Sequence, residues 1–520
     1  MTAPSMPAAA RLQREWEERQ GGPEAAKLDR VTESTLAEEL VRRHGGELRF
    51  VGQWRKWLDY RGGRWVAAPT AAQVQRDLIR LIRNLRVSAA RAGNEDAVKA
   101  LFKAEKRATR DSIVALAAHE EAIQVAPEDL DRDPWLLNAR NGTLELRTGE
   151  LRPHRRDDLL TKLAPVAFDP KATAPIWDAF LERIFGGNAD LISFVQRAAG
   201  YSLTGETGEQ CLFIAHGSGA NGKSTFLEAL RAMLGDYARA APMDLFIASK
   251  GDRHPTEVAT LLGVRFAPCV ETRDGARLNE TLLKQLTGGD TVQARRMRED
   301  FWELSPVAKL WLGTNHRPQI RGTDEAIWRR IRLIPFEVTI PEGERDKSLP
   351  AKLRAELPGI LAWAVRGCLA WETEGLAPPA EVTAATDAYR LAEDRLGQWL
   401  AERCVTGQNR QATAADLYAD FCRWAEERRE WTPSAKAFGE SLADRGFERD
   451  RAGKDRTKIW RGIGLLSGRR TDADPSNISP YGARAQKVTG SQVRIGPPER
   501  EPGSDDGEGD LFDGQAGGAP

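Results

Sequence analysis

The sequence predicts an α/β fold: a phosphate-binding-loop core over residues 205–345, an α+β region ahead of it and a mostly helical region after it. Three observations predict this. HGSGANGKST (216–225) satisfies GxxxxGK[ST], and it lies between an apolar run, QCLFIAHG (210–217), and a stretch of helical period, STFLEALRAMLG (224–235). Further short apolar runs, LLGVRFAPCV (261–270) and KLWLGT (309–314), alternate with helical stretches, as the strands of a buried parallel sheet do. Beyond residue 345 the apolar residues, many of them Trp, recur at helical spacing.

Length and charge bound what the chain can be. Its 520 residues allow three or four domains at about 150 residues each. Lys plus Arg and Asp plus Glu both number 76, so a uniformly basic coat is excluded and any DNA-binding surface must be a local concentration of charge. No stretch reaches the ~18 uninterrupted apolar residues of a membrane helix, so no membrane association is expected. MTAPSMPAAARLQREWEERQ at the N-terminus lacks the apolar core of a secretory signal. The five cysteines (Cys211, Cys269, Cys368, Cys404 and Cys422) never form CxxC. They are read as reduced, mostly buried thiols of a cytoplasmic protein.

The elements follow in order. Residues 1–34 read as a polar, flexible N-terminus with a frayed helix. Residues 35–125 read as a small α+β region. In it LAEELVRRHG is helical, ELRFVGQWRKWLDYRGGRWVAA forms short aromatic strands around a Gly-Gly turn, and Leu78, Leu81, Ile82 and Leu85 mark a helix face. Over 126–204, NARNGTLELRTGELRPH carries NG and TG turn signals of a hairpin, followed by helices from Pro175 to Tyr201. The core occupies 205–345. Residues 346–465 form a helical C-terminal domain ending in a hairpin at AGKDRTKIWRGIGL, and 466–520 form a disordered tail. From Pro497 onward that tail holds seven acids against one Arg, and its GDLFDG segment, with Leu511 and Phe512, reads either as a solvated tail without function or as a docking segment for a sliding clamp or another replication protein.

Chemistry concentrates in the core. Gly217, Gly219, Asn221, Gly222, Lys223, Ser224 and Thr225 are the candidate nucleotide-binding residues: the glycines let a loop turn its N–H groups toward a polyphosphate, Lys223 adds a point charge and Ser224 a Mg²⁺ ligand. Glu271 ends an apolar run expected to lie beside the loop's strand, where a carboxylate holds the Mg²⁺ shell, polarises the attacking water, or both; Asp274 follows it. Asn315 ends another run, where an amide reaches a γ-phosphate, although by itself an Asn at a strand end is a turn residue. In WRRIRLIPF (328–336), Arg329 and Arg330 form either a solvated basic edge or an arginine finger directed at a neighbour. Residues 291–332 hold nine Lys/Arg against five acids. Asp131 and Asp133, the one tempting acid pair ahead of the core, read as structural.

GSGANGKST, VETRDGARLNE, LTGGDTVQARRMRE, KLWLGTNHRP and DEAIWRRIRLIPF, in that order, resemble the superfamily 3 helicase domain. More narrowly they resemble the phage- and plasmid-encoded primase/helicase family, relatives of poxvirus replication helicases. DPWLLNARNGTLELRTGELRPH and FVQRAAGYSLTGETGEQCLFI look like that family's preceding domain, and 390–465 like its winged-helix region. The resemblance implies an AAA+-like ATPase core with ATP and Mg²⁺. Gly222, Lys223 and Ser224 would be the Walker A residues, Glu271 the Walker B acid, Asn315 the sensor and Arg330, or else Arg329, the finger. It also implies a hexameric ring that threads single-stranded DNA, opens forked DNA and grips phosphates with Arg295, Arg296 and Arg298, with Phe301 or Trp302 in support. Many superfamily 3 proteins carry two adjacent acids at the Walker B strand; here Thr272 follows Glu271. Priming activity is not expected from this chain. A DNA-packaging or assembly motor, or a nucleotide-switched DNA-binding regulator, is the alternative.

Overall fold

The computed structural model describes residues 30–466 apart from 249–255, 271–274, 296–301, 321–324, 429 and 454–455. Glu271, Asp274, Arg296, Arg298, Phe301 and the acidic tail with its GDLFDG segment lie outside the described residues. The chain forms two compact units, divided between Asp394 and Arg395.

The first unit opens with α1 (Glu33–His44), capped by Thr32, whose hydroxyl accepts from the Thr35 amide. An antiparallel meander follows: β1 (Leu48–Val51), β2 (Lys56–Arg61) and β3 (Arg64–Ala67). Gly62 and Gly63 make the turn between β2 and β3 at φ 59° and 80°, a region that glycine enters without a Cβ clash. Next come α2 (Ala72–Arg91), α3 (Glu95–Ala104) and α4 (Arg107–Ala117); Leu78, Leu81, Ile82 and Leu85 of α2 are buried in a core shared with α1 and α4. A second meander, β4 (Leu136–Ala139), β5 (Gly142–Glu145) and β6 (Glu150–Arg152), occupies the segment with the NG and TG turn signals. Asp131 accepts hydrogen bonds from the amide and hydroxyl of Thr161, and Asp133 from the Trp135 amide at 2.9 Å, so both acids are committed to holding the chain.

Helices α5 (Pro175–Ile184) and α6 (Ala189–Tyr201) lead into the central layer. The central layer contains β7 (Leu212–His216), α7 (Lys223–Leu234), the one-turn α8 (Thr256–Ala259), β8 (Phe266–Val270), α9 (Glu280–Gly288), β9 (Val292–Ala294), β10 (Trp302–Leu304), β11 (Lys309–Thr314), the one-turn α10 (Glu325–Trp328) and β12 (Ile331–Pro335). The four long strands form one parallel sheet in the order β12-β7-β11-β8, with Leu212 of β7 opposite both Leu310 and Ile331. This order corrects one expectation. The strand leading to Glu271 is not beside the loop's strand: β11, which leads to Asn315, is inserted between them.

Both faces of the sheet are covered, which explains why its strands read as unbroken apolar runs. Phe213 and Trp311 face a core with Phe226 and Leu230 of α7 and with Trp363, and the Phe213 and Trp311 rings stack at 4.4 Å. Leu212, Ile214, Leu310 and Leu312 face the opposite core with Leu245, Phe246, Leu283 and Leu286. The first face is closed by α11 (Leu349–Ala355) and α12 (Leu357–Glu374), and α13 (Ala380–Glu393) completes the unit. These three helices therefore belong to the first unit, packed with the sheet.

Two buried cations anchor the base of the sheet. Lys309, at the start of β11, donates to the carbonyls of Thr204, Glu206 (3.0 Å) and Val307 (2.9 Å), and burial pushes its pKa well below the ordinary lysine value. Arg265, just before β8, donates to the carbonyls of Leu203 at 2.7 Å and Leu136 at 2.9 Å, and lies over the Tyr237 ring. Among the described residues neither is ion-paired with a carboxylate, and backbone oxygens accept their hydrogen bonds.

The second unit contains, in order, α14 (Arg395–Arg403), β13 (Cys404–Thr413), α15 (Ala414–Glu427), α16 (Ala435–Asp444), β14 (Glu448–Ala452) and β15 (Thr457–Leu465). Its strands pair antiparallel in the order β13-β15-β14, around a core of Trp399, Phe421, Trp424, Phe438 and Trp460. Cys211, Cys269, Cys368 and Cys404 are buried and unbridged, and Cys422 is partly exposed. Among the described residues no helix is long and apolar enough to cross a membrane.

Candidate functional site

The GxxxxGKS loop spans the gap from the end of β7 to the start of α7. Its glycines are required by geometry. Gly222 caps α7 at φ 82°, and a Cβ there would meet Ile184 Cγ2 at 2.5 Å; a Cβ on Gly217 would sit 2.2 Å from the Phe336 carbonyl oxygen. Gly219, at φ 106°, has nothing within 4 Å of its Cβ position, so the loop is open at that point.

Lys223, the first residue of α7, turns its ammonium back into the loop. Nζ donates to Gly217 O at 2.8 Å, Asn221 Oδ1 at 2.8 Å and Asn315 Oδ1 at 2.9 Å, which uses all three of its protons. Burial lowers the Lys223 pKa from its ordinary value to about 8. Asn315 follows the last residue of β11, and because β11 lies directly beside β7 its amide reaches the loop. Ser224 is exposed and Thr225 half-buried on the first turn of α7.

Several contacts around the loop had no signal in the sequence. Asn221 Nδ2 donates to the Phe336 carbonyl at 3.2 Å, the Ile340 amide donates to Ala220 O at 2.8 Å, and the Phe336 amide donates to His216 O at 2.7 Å. The chain leaving β12 therefore braces the loop from outside. His216, the last residue of β7, has its pKa lowered to about 4 by burial and by Arg317, Lys223 and His316, so its imidazole is neutral near pH 7.

The remaining candidates divide. Val270, the last described residue before Glu271, lies opposite Gly313 of β11, one strand away from the loop's own strand. Arg295 is described and follows β9, which pairs with β10 as an antiparallel hairpin between β8 and β11. The two arginines differ in their surroundings. Arg330 is buried: Nε donates to Thr287 Oγ1 at 3.1 Å and a terminal nitrogen donates to Ala326 O at 2.7 Å. Arg329 is exposed.

Residues 37–186 match the family described as "D5 N terminal like", and residues 215–330 match a "Family of unknown function (DUF5906)". Among similar curated proteins, "Putative helicase L207/L206" of Acanthamoeba polyphaga mimivirus is 27% identical, covering 57% of this chain and 33% of its own length. "Putative helicase 022R" of Frog virus 3 is 26% identical, covering 57% of this chain and 39% of its own length. The chain thus spans little more than a third of the length of these two relatives. Among solved structures, the apo C-terminal region of NrS-1 is 11% identical with a TM-score of 0.49, over 84% of this chain and all of that one.

Proposed function

From a chain that carries the D5 N terminal like domain of primase-helicase proteins over residues 37–186, followed by a strand–GxxxxGKS–helix core, we propose an ATP-dependent DNA helicase of phage- and plasmid-type replication. In this reading the core is an AAA+-like ring ATPase and the 395–466 unit a winged helix. The observation that carries the proposal is the Lys223 ammonium, held at the centre of the loop by Gly217, Asn221 and Asn315.

The chemistry follows from that position. An incoming triphosphate competes with Asn315 for Lys223, and its β- and γ-oxygens accept the protons that the Asn315 amide and the Gly217 carbonyl accept without it. Released from Lys223, the Asn315 side chain is free to contact the γ-phosphate or the attacking water. The amides at the start of α7 and the positive end of its dipole favour the same anion. The Ser224 hydroxyl and the Glu271 carboxylate are the hard oxygen donors that suit Mg²⁺, which would supply neutralisation of phosphate charge there. Arg329 from a neighbouring subunit would complete the charge balance in transfer. Arg295, Arg296 and Arg298, which lie between β9 and β10 in the sequence, would follow a single DNA strand through the ring.

Strand displacement on a forked duplex tests this function. The full chain with ATP and Mg²⁺ should release the displaced strand, and the Lys223→Ala variant should not. DNA-stimulated ATP turnover without any strand release would favour a packaging or remodelling motor.

A further inference from the structure

We propose that the cleft between the β1–β3 meander and the ATPase core binds single-stranded nucleic acid, as a second strand site below the β9–β10 hairpin. The cleft has a volume of about 1350 Å³, above the ~300–1,000 Å³ typical of a small-molecule pocket. One wall is the meander, with Trp54 and Arg55; the other is the core surface, with Arg239 and Trp302; Arg132 lies on the turn between them.

The walls are fixed relative to one another. Arg64 of β3 is ion-paired with Asp236 of the core, the Trp65 amide donates to Leu160 O at 2.8 Å, and the Tyr237 hydroxyl accepts from the Asn138 amide at 3.0 Å. These contacts make a standing groove with no closure required.

Its chemistry suits a polynucleotide strand. Trp54 and Trp302 are half-buried and line the cleft, and bases stack on aromatic rings whatever their sequence. Arg55 and Arg239 are exposed and form no ion pair among the described residues; Arg132 has only a loose one, with Asp129 at 3.9 Å. With Arg64 paired to Asp236, the lining keeps Glu128, Asp131 and Glu303 beside Arg55, Arg132, Arg239 and Lys162, so the positive charge offered to a strand is local, at the exposed Arg55 and Arg239. Trp302 also ties the groove to the hairpin, because it lies opposite Ala294, the residue before Arg295. A strand gripped at the hairpin would continue along this wall toward the meander, so the D5 N terminal like domain would hold the DNA strand directly.

The inference rests on the DNA-motor reading, yet its test needs no nucleotide. Anisotropy of a labelled oligo-dT of about 20 nucleotides, longer than the ~4–16 of a single binding fold, is followed against the full chain over a salt series. The Arg55→Ala/Arg239→Ala variant should lower the slope of log K on log salt by about 1.4, at ~0.7 per lost phosphate contact. Trp54→Ala should weaken binding about fivefold or more, while Trp54→Phe, which keeps a stacking face, should stay near wild type. Wild-type affinity and slope in both alanine variants overturn the groove and leave the ATPase reading standing. So does equal loss in Trp54→Phe and Trp54→Ala, which points to a packing role, or a changed sedimentation coefficient in the arginine variant, which points to a second copy of the chain in the cleft. A wild-type chain that does not bind oligo-dT overturns both readings.

Discussion

Lys223 has three protons and three acceptors from its own chain, so a ligand cannot gain its charge without displacing one of them. Because its pKa without nucleotide is about 8, the free chain loses the charge in mildly alkaline solution. Phosphate oxygens raise the pKa of the bound lysine, so nucleotide affinity should be full below pH 8 and fall as pH rises through it, with proton uptake on binding in that range. Calorimetry in buffers of different ionisation enthalpy measures both. The same shift makes the unfolded chain bind more protons between pH 8 and the ordinary lysine value near 10.5, so Lys223 makes the fold more stable as pH rises across that window. Arg329 and Arg330 should separate in experiment. Arg330→Ala should lower unfolding stability by about 1–3 kcal/mol in urea titrations, since it removes a buried hydrogen-bonded group. Arg329→Ala should leave stability unchanged and lower ATP turnover, by up to ~10³-fold or more for a finger. At this scale the loop was legible in the sequence because its spacing is itself the geometry. The adjacency of Arg329 and Arg330 carried no such information: which of them turns inward depends on Thr287 and Gln210, both distant in sequence.

The strands were legible as elements and their neighbours were not. Continuous apolar runs mark buried parallel strands, but the order β12-β7-β11-β8 is a property of how the crossovers pack, and it is what brings Asn315 beside the loop. The Gly62–Gly63 turn and the β4–β5 hairpin carry local turn chemistry, so their positions could be read directly. Lys309 illustrates the opposite case. It reads as one more cation in a basic stretch, whereas its ammonium is buried and bonded to three carbonyls, two of which join β11 to the 204–206 segment. Lys309→Met keeps much of the volume and leaves those oxygens without a donor, so chemical denaturation should show a loss of at least about 1–3 kcal/mol. An unchanged midpoint would mean that water replaces the ammonium there.

On the scale of the molecule, two units are joined at Asp394–Arg395, and the helices of 349–393 belong with the sheet they cover. Sequence periodicity marks those helices, but an apolar face does not state which core it joins. A ring in which Arg329 acts on a neighbour's nucleotide predicts complementation in trans: mixing Lys223→Ala and Arg329→Ala chains should yield assemblies in which some interfaces hold both intact residues, with partial recovery of turnover. Mixed assemblies without recovery would count against the finger. The most direct measurement is steady-state ATP hydrolysis by the full chain, with and without single-stranded DNA, beside Lys223→Ala. Wild-type turnover should rise when the DNA is added, and the variant should fall about a hundredfold or more, as when a single preorganised charge-stabilising group is lost; equal turnover in the two proteins would contradict the account.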